Sequence, residues 1–412
     1  MTAMPPLSIS AVRDPDGATG NPITASDNRP GSTPEAAPGP AIGPVVFLHS
    51  AGTERLHRHE LVSKTAVAEA VARLVGRTYG GHFRDDLAYD GEPFFVPSET
   101  LTAAEAARFG IRGAGDLFGG VVPHAFVGTK VITHGLAAPD AVAPEGWQPR
   151  FCERVAEVVL PGFSAFDVPS ALHAGMRLLQ SGTVRLKRPD GVGGRGQLVI
   201  RDRRQLEEAL ATVEAARLGS EGVVLEANLV EVRTLSVGQA SLGGILISYC
   251  GSQRLTRAND GSQVYGGSEL LVARGGWDEL LALQLAPKTR LAIDQTRIYH
   301  EAAQDCFPGL FATRSNYDVA QGYDQAGTCH SGVLEQSWRI GGATGAELAA
   351  IDAFLADPTL RSIGASTTEL HGECVEPPEG AVVYFQGHDD VVGPLVKYAQ
   401  LHPRGAHDDP PR

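Results

Sequence analysis

Lys187 follows a short β-like run at 184–186, and glycines stand just beyond it at 191, 193, 194 and 196. Four glycines in six residues leave backbone N–H groups uncovered and allow backbone conformations closed to other residues. Successive N–H groups of this kind form a concavity for anions, and the Lys187 ammonium adds a full positive charge at its edge. A second β-like run at 198–200 closes the unit. The stretch reads as a β-hairpin whose tip covers the phosphates of a nucleotide; the bland alternative is an ordinary glycine-rich hairpin with a solvated lysine.

The glycines also satisfy G-x-G-x-x-G, a pattern that must follow a strand and open a helix to bind a dinucleotide. Here they lead into the β-branched run 197–200 and a turn at Arg201 and Asp202, so helix begins only near Arg204. The dinucleotide reading fails on that context. A P-loop fails as well, because no Gly-Lys-Ser/Thr follows.

The elements that must hold this hairpin are those of an ordinary globular protein. The 412 residues are 42% hydrophobic and 20% charged, enough for two or three packed lobes. The net charge of −13 argues against a general binder of nucleic acid or anionic membrane. No apolar run reaches the roughly 18 residues of a spanning helix, and the N-terminus lacks a secretory pattern. The five cysteines (152, 250, 306, 329, 374) are scattered without a C-x-x-C pair, so neither zinc nor a disulfide framework is suggested. A cytoplasmic protein with reduced thiols is expected.

Residues 1–43 are rich in Pro, Gly, Ala, Ser and Asp, a composition that cannot offset ordering entropy, and they are expected to form a disordered tail. A buried strand at 44–49, a helix at 65–75, a strand at 92–97 and a helix near 102–109 make an N-terminal α/β lobe, 44–125. A central lobe, 126–225, carries a helix at 170–179, the glycine hairpin, a helix at 205–217 and a buried strand at 222–226. The C-terminal lobe, 226–401, opens on antiparallel strands within 235–249. A polar, glycine-rich connection at 251–268 follows, too long for a turn, and it gathers Arg254, Asn259, Gln263 and Tyr265. Then come a helix at 287–304, paired strands at 316–320 and 332–335 joined through a turn at 324–327, a helix at 345–355, a strand at 381–385 and a short helix near Leu395. A polar tail, 402–412, ends the chain. His49, His124, His134 and His330 lack metal spacing and read as structural or solvated.

The order of lysine, glycine hairpin, strand ending in Glu226 and carboxylates on a late hairpin resembles the ATP-grasp superfamily over roughly residues 44–400. The runs at 118–123 and 334–342 look more narrowly like an uncharacterised bacterial family of ATP-grasp-like proteins. The resemblance implies an α/β ATP-grasp fold with an N-terminal α/β lobe. It also implies an ADP-forming ligase that activates a carboxylate as an acyl phosphate, for attack by an amine, a thiol or another nucleophile.

By the same resemblance Lys130 and Lys187 contact phosphates under the loop of Gly193, Gly194 and Gly196. Glu226 and Leu229 belong to the hinge that pairs with adenine, and Glu231 is the candidate for the ribose, although Thr234 and Leu235 stand where the superfamily often has a glutamate. Asp318, Glu335 and Ser337 correspond to the metal strands, for Mg²⁺ with Mn²⁺ as an alternative. Ser337 replaces the usual asparagine, so either one metal position is weaker or Asn316 substitutes. Arg339 stands at the arginine near the transferred phosphate, where it would stabilise charge or bind a substrate carboxylate. Partners implied are small-molecule substrates, without nucleic acid or membrane, and a homodimer is compatible. A non-catalytic nucleotide sensor or scaffold on the same fold stays open. A protein-kinase-like transferase ranks low, because no H-R-D-x-x-x-x-N or D-F-G run follows.

Overall fold

Short apolar runs supply the strands, which in the computed structural model sort into four sheets among the described residues. The structure describes residues 42–49, 56–189, 191, 196–373 and 375–402. In chain order the first elements are β1 (Ile42–Leu48), α1 (Arg58–Leu74), β2 (Tyr79–His82), β3 (Glu92–Pro97), β4 (Leu101–Thr102), α2 (Ala103–Arg108) and β5 (Gly120–Val122). After two 3-10 turns, Ala125–Gly128 and Lys130–Thr133, follow α3 (Pro149–Val155), β6 (Gly162–Ala165), α4 (Val168–Leu178), β7 (Val184–Lys187), β8 (Gln197–Ile200), α5 (Arg203–Ala211), α6 (Ala215–Glu221) and β9 (Val223–Ala227). The rest comprises β10 (Val230–Leu242), β11 (Ile245–Arg257), β12 (Gln263–Arg274), α7 (Trp277–Leu281), α8 (Pro287–Cys306), β13 (Phe311–Ala312), β14 (Arg314–Tyr323), β15 (Cys329–Ser337), α9 (Thr344–Ala356), β16 (Ser362–His371), β17 (Val382–Asp389) and β18 (Gly393–His402).

The N-terminal strands form a parallel sheet, β2-β1-β3. The central sheet is antiparallel, β6-β9-β7-β8, and α4 and α5 cover one of its faces through Val184, Leu186, Leu206, Leu225 and their neighbours. Asp167 and Asp202 cap those two helices by accepting N–H bonds from Ser170 and Gln205, which fixes where each strand gives way to helix. The large sheet runs β15-β14-β10-β11-β12-β16-β18-β17, antiparallel throughout. One face packs on α8 through Tyr299, Ala303, Tyr317 and Val319. The other packs on α1 and α9 through Val71, Ile247, Leu270 and Ile351. β13 pairs with β5, so the C-terminal chain is stitched to the N-terminal layer.

The mixed α/β class holds, with four corrections. The first strand starts two residues early, at Ile42, inside the expected tail; the rest of both tails falls outside the described residues, apart from Gly43 in β1 and His402 at the end of β18. The helix expected at 205–217 is two, α5 and α6, broken around Thr212. The connection expected at 251–268 is the end of β11 and the start of β12, paired from Gly251–Leu270 to Arg257–Gln263. The helix expected near Leu395 is strand β18, held on both sides by β16 and β17.

Candidate active site

The register of the central sheet sets Arg185 opposite Glu226 and Lys187 opposite Val224. Residues two apart share a face, so Arg185, Lys187 and Glu226 project together, away from α4 and α5. Lys187 Nζ lies 2.5 Å from Glu226 Oε1, and His134 Nε2 lies 3.3 Å from Oε2 of the same carboxylate. Lys187 and Glu226 are only 3% and 2% exposed. Burial alone would push the Glu226 pKa up, but Lys187 and the His134 hydrogen bond overcome it and hold the carboxyl near 2. Buried ion pairs add little net stability over apolar packing, so this pair calls for a functional account. Arg185 is held by Gln197 (3.1 Å) and Asn228 (2.7 Å).

On the large sheet, β14 and β15 place Asp318 beside Glu335 and Asn316 beside Ser337, on one face. Asp318 Oδ1 accepts from Gln253 Nε2 (2.8 Å) and Asn316 Nδ2 (2.9 Å). Burial, and then the Glu335 charge, raise the Asp318 pKa to about 6. Lys130 joins this pair to the hairpin: its Nζ lies 2.6 Å from Glu335 Oε2 and donates to the Gly191 carbonyl at 2.6 Å. Lys130 is 4% exposed, because the Lys130–Thr133 turn packs Val131 and Ile132 into the core.

Behind the acids, Arg314 is buried against Glu347 of α9, with NH2 2.7 Å from Oε1 and Nε 3.0 Å from Oε2. Burial and the Glu347 charge raise the Tyr249 pKa well above its usual value, so its hydroxyl stays protonated and donates to Glu347 at 2.7 Å. Arg314 NH1 also reaches Ser337 Oγ (3.4 Å) and the Arg339 carbonyl. Arg339 itself turns to the N-terminal layer, with Nε 3.0 Å from Glu99 Oε2.

The structure thus brings Lys130, Asp318 and Glu335 together with the glycine hairpin. Lys187 and Glu226 meet on the central sheet; Ser337 ends β15, and Arg339 lies two residues beyond it. Gly196 starts the return of the hairpin at φ +75°, where glycine is favoured; Gly193 and Gly194 lie outside the described residues. Leu229 is buried against Leu160 and Ala320. In the same stretch the Ala227 and Asn228 N–H groups are bonded to the Pro161 and Thr183 carbonyls. Glu231 is exposed at the start of β10 with a left-handed backbone, φ 53°, and no ion pair reaches it among the described residues. His134, read as structural or solvated, is a member of the buried Lys187–Glu226 group. Lys64, Glu99, Tyr249 and Glu347 escaped the sequence reading, because their partners lie far along the chain.

The donor set fits a hard divalent cation. Asp318 and Glu335 offer carboxylate oxygens in adjacent register, and burial, then the Glu335 charge, raise the Asp318 pKa in spite of Lys130. Among the described residues no third His, Cys, Asp or Glu completes a cage, so such an ion would draw its remaining oxygens from a ligand and water, as Mg²⁺ commonly does.

Among the described residues no helix is long and apolar enough to cross a membrane. The chain is similar to the biotin carboxylase domain of the Hydrogenobacter thermophilus 2-oxoglutarate carboxylase, solved with MgADP, ADP and bicarbonate (14% identity, TM-score 0.49, 88% of this chain and 87% of that one). It is similar also to N5-carboxyaminoimidazole synthetase of Staphylococcus aureus, solved with ADP (10%, TM-score 0.48, 87% and 93%). A third similar structure is phosphoribosylamine–glycine ligase of Thermotoga maritima (14%, TM-score 0.47, 87% and 92%). These are ATP-grasp enzymes. None of the curated proteins matches the chain. The family described as "protein of unknown function (DUF3182)" matches residues 46–399, and the chain belongs to it.

Proposed function

We propose that the protein is an ATP- and Mg²⁺-dependent, ADP-forming ligase of the ATP-grasp type, with 44–125, 126–225 and 226–401 as its N-terminal, central and C-terminal lobes. The observation that carries this reading is Lys130, whose one ammonium contacts both the glycine hairpin and the acidic strand pair. A triphosphate between these elements would meet Lys130, Lys187 and loop N–H groups on one side and the carboxylates on the other. Asp318 and Glu335 would hold Mg²⁺, with Asn316 or Ser337 behind them, and the ion's chemistry is charge neutralisation of phosphate oxygens.

Catalysis is then mainly positioning and electrostatics. A carboxylate oxygen of the substrate attacks the γ phosphorus, and the bond to the ADP oxygen breaks. The acceptor then attacks the acyl carbon and phosphate leaves. Lys187 is positioned for the phosphates by Glu226, which His134 holds in turn.

The test is thermal stabilisation by MgATP together with ADP release over a panel of small acids and amines. Lys187→Met is paired with Glu226→Gln so that no lone buried carboxylate remains; Glu335→Gln is the second variant. Both are expected to lose MgATP stabilisation while remaining folded. AMP and pyrophosphate as products would reject the acyl-phosphate scheme. Ser337, in place of an asparagine, favours one other reading, a nucleotide sensor or scaffold, and MgATP binding without turnover on any pair would support it.

A further inference from the structure

Glu99 stands just past β3, and each of its oxygens serves a different cation. Oε2 lies 3.0 Å from Arg339 Nε, and Oε1 lies 3.5 Å from Lys64 Nζ of α1. The acid is 54% exposed, whereas the Lys64 and Arg339 side chains are only 17% and 21% exposed. Two covered cations therefore share one carboxylate on an exposed stem. The other titratable groups around Lys64 are Glu60, one turn earlier on α1, and His49, just past β1. Burial and then the Arg339 charge lower the Lys64 pKa against the pull of Glu99 and Glu60, and Lys64 Nζ also donates to the Ser98 carbonyl at 3.4 Å. The cluster adjoins the acidic strand pair, since Arg314 bonds both Ser337 and the Arg339 carbonyl.

We propose that Lys64 and Arg339 form the subsite for the carboxylate of a small organic acid, and that Glu99 is a resident counter-ion which this carboxylate displaces. The inference rests on the ligase reading for its meaning, though the anion subsite can be measured alone. A partly exposed ion pair adds little to stability, so exchanging one carboxylate for another costs little, and two cations around one anion give the orientation that attack on phosphorus needs. The N-terminal layer would then choose the acid, and the two larger sheets would activate it.

The experiment titrates the full chain with acetate and with inorganic phosphate, in about 0.15 M chloride to screen loose surface association, and measures MgATP stabilisation of the same samples. Glu99→Gln is expected to bind acetate about threefold tighter or more, the scale of a partly exposed pair removed. Lys64→Met is expected to bind it about tenfold more weakly, the loss of a charge-assisted hydrogen bond. MgATP stabilisation should stay as in the parent for both. The proposal is overturned if acetate fails to bind Glu99→Gln, if Lys64→Met binds as the parent does, or if phosphate binds in preference to acetate. MgATP stabilisation without acetate binding sinks this inference and leaves the ligase reading standing; the reverse result sinks the ligase reading and leaves the anion subsite.

Discussion

Glu347 is fully buried, and its carboxylate is answered by the Arg314 guanidinium and the Tyr249 hydroxyl. The pair sets the Arg314 NH1 that touches Ser337 and the Arg339 carbonyl, so its value lies in placing the end of β15. Desolvation cancels much of the attraction in such a pair, while removal of one partner strands the other. Glu347→Gln should therefore cost about 3–5 kcal/mol in urea unfolding. The double variant Arg314→Met, Glu347→Leu should recover most of that loss while still failing to order Arg339. Recovery of stability together with intact ADP release would show that the pair has no part in placing β15.

Helices and strands carry their own tests. Gly175 lies in α4, where alanine would normally add about 1 kcal/mol through helix propensity. A Cβ there would stand 2.4 Å from Leu206 and 3.1 Å from Leu225, both fully buried, and overpacking of this kind costs about 1–3 kcal/mol. Gly175→Ala is thus expected to lower the unfolding midpoint, and a rise would mean that α4 and α5 have room to part. The same attention to close approach explains what the sequence hid. Glycines at 251–268 read as loop, yet a Cβ at Gly251 would sit 1.9 Å from the Glu269 carbonyl, and Gly267 has φ +123° beside Thr367. They mark cross-strand crowding and an irregular register within paired strands. The hairpin of Lys187 and the strands of Asp318 and Glu335 were legible because each lies within one local run. Strand β18 was not, because its pairing with β16 and β17 decides its conformation. Glu99 with Lys64 and Arg339 could not be read from local pattern, since α1, the connection after β3 and the connection after β15 supply them.

At the scale of the molecule, acid should unfold the protein earlier than its carboxylates alone suggest. Burial lowers the pKa of His300 to about 4; for His59 burial and then Lys397 lower it to about 3. Between those values and the unfolded 6.5 the unfolded chain binds protons that the folded chain refuses, so stability falls as pH drops through that window. Asp318 works the other way: with its pKa raised to about 6, the folded chain keeps a proton that the unfolded chain releases, and this adds stability as pH drops toward 3.8. Two histidines outweigh one acid. The thermal midpoint should drop between about pH 7 and pH 5, and His300→Gln, which can keep a bond to the Tyr317 hydroxyl (2.8 Å), should flatten that slope. An unchanged slope would place the acid sensitivity elsewhere.

Lys130 binds the Gly191 carbonyl and the Glu335 carboxylate at the same 2.6 Å. A cation arriving at the Glu335 carboxylate competes with Lys130 for it and loosens the ammonium's hold there. On the proposed function, Lys130 would then exchange one anion for another, the acid's oxygen for a phosphate oxygen of the nucleotide. The acid that stores the lysine's charge in the free protein would thus hand it over as the ion takes its place.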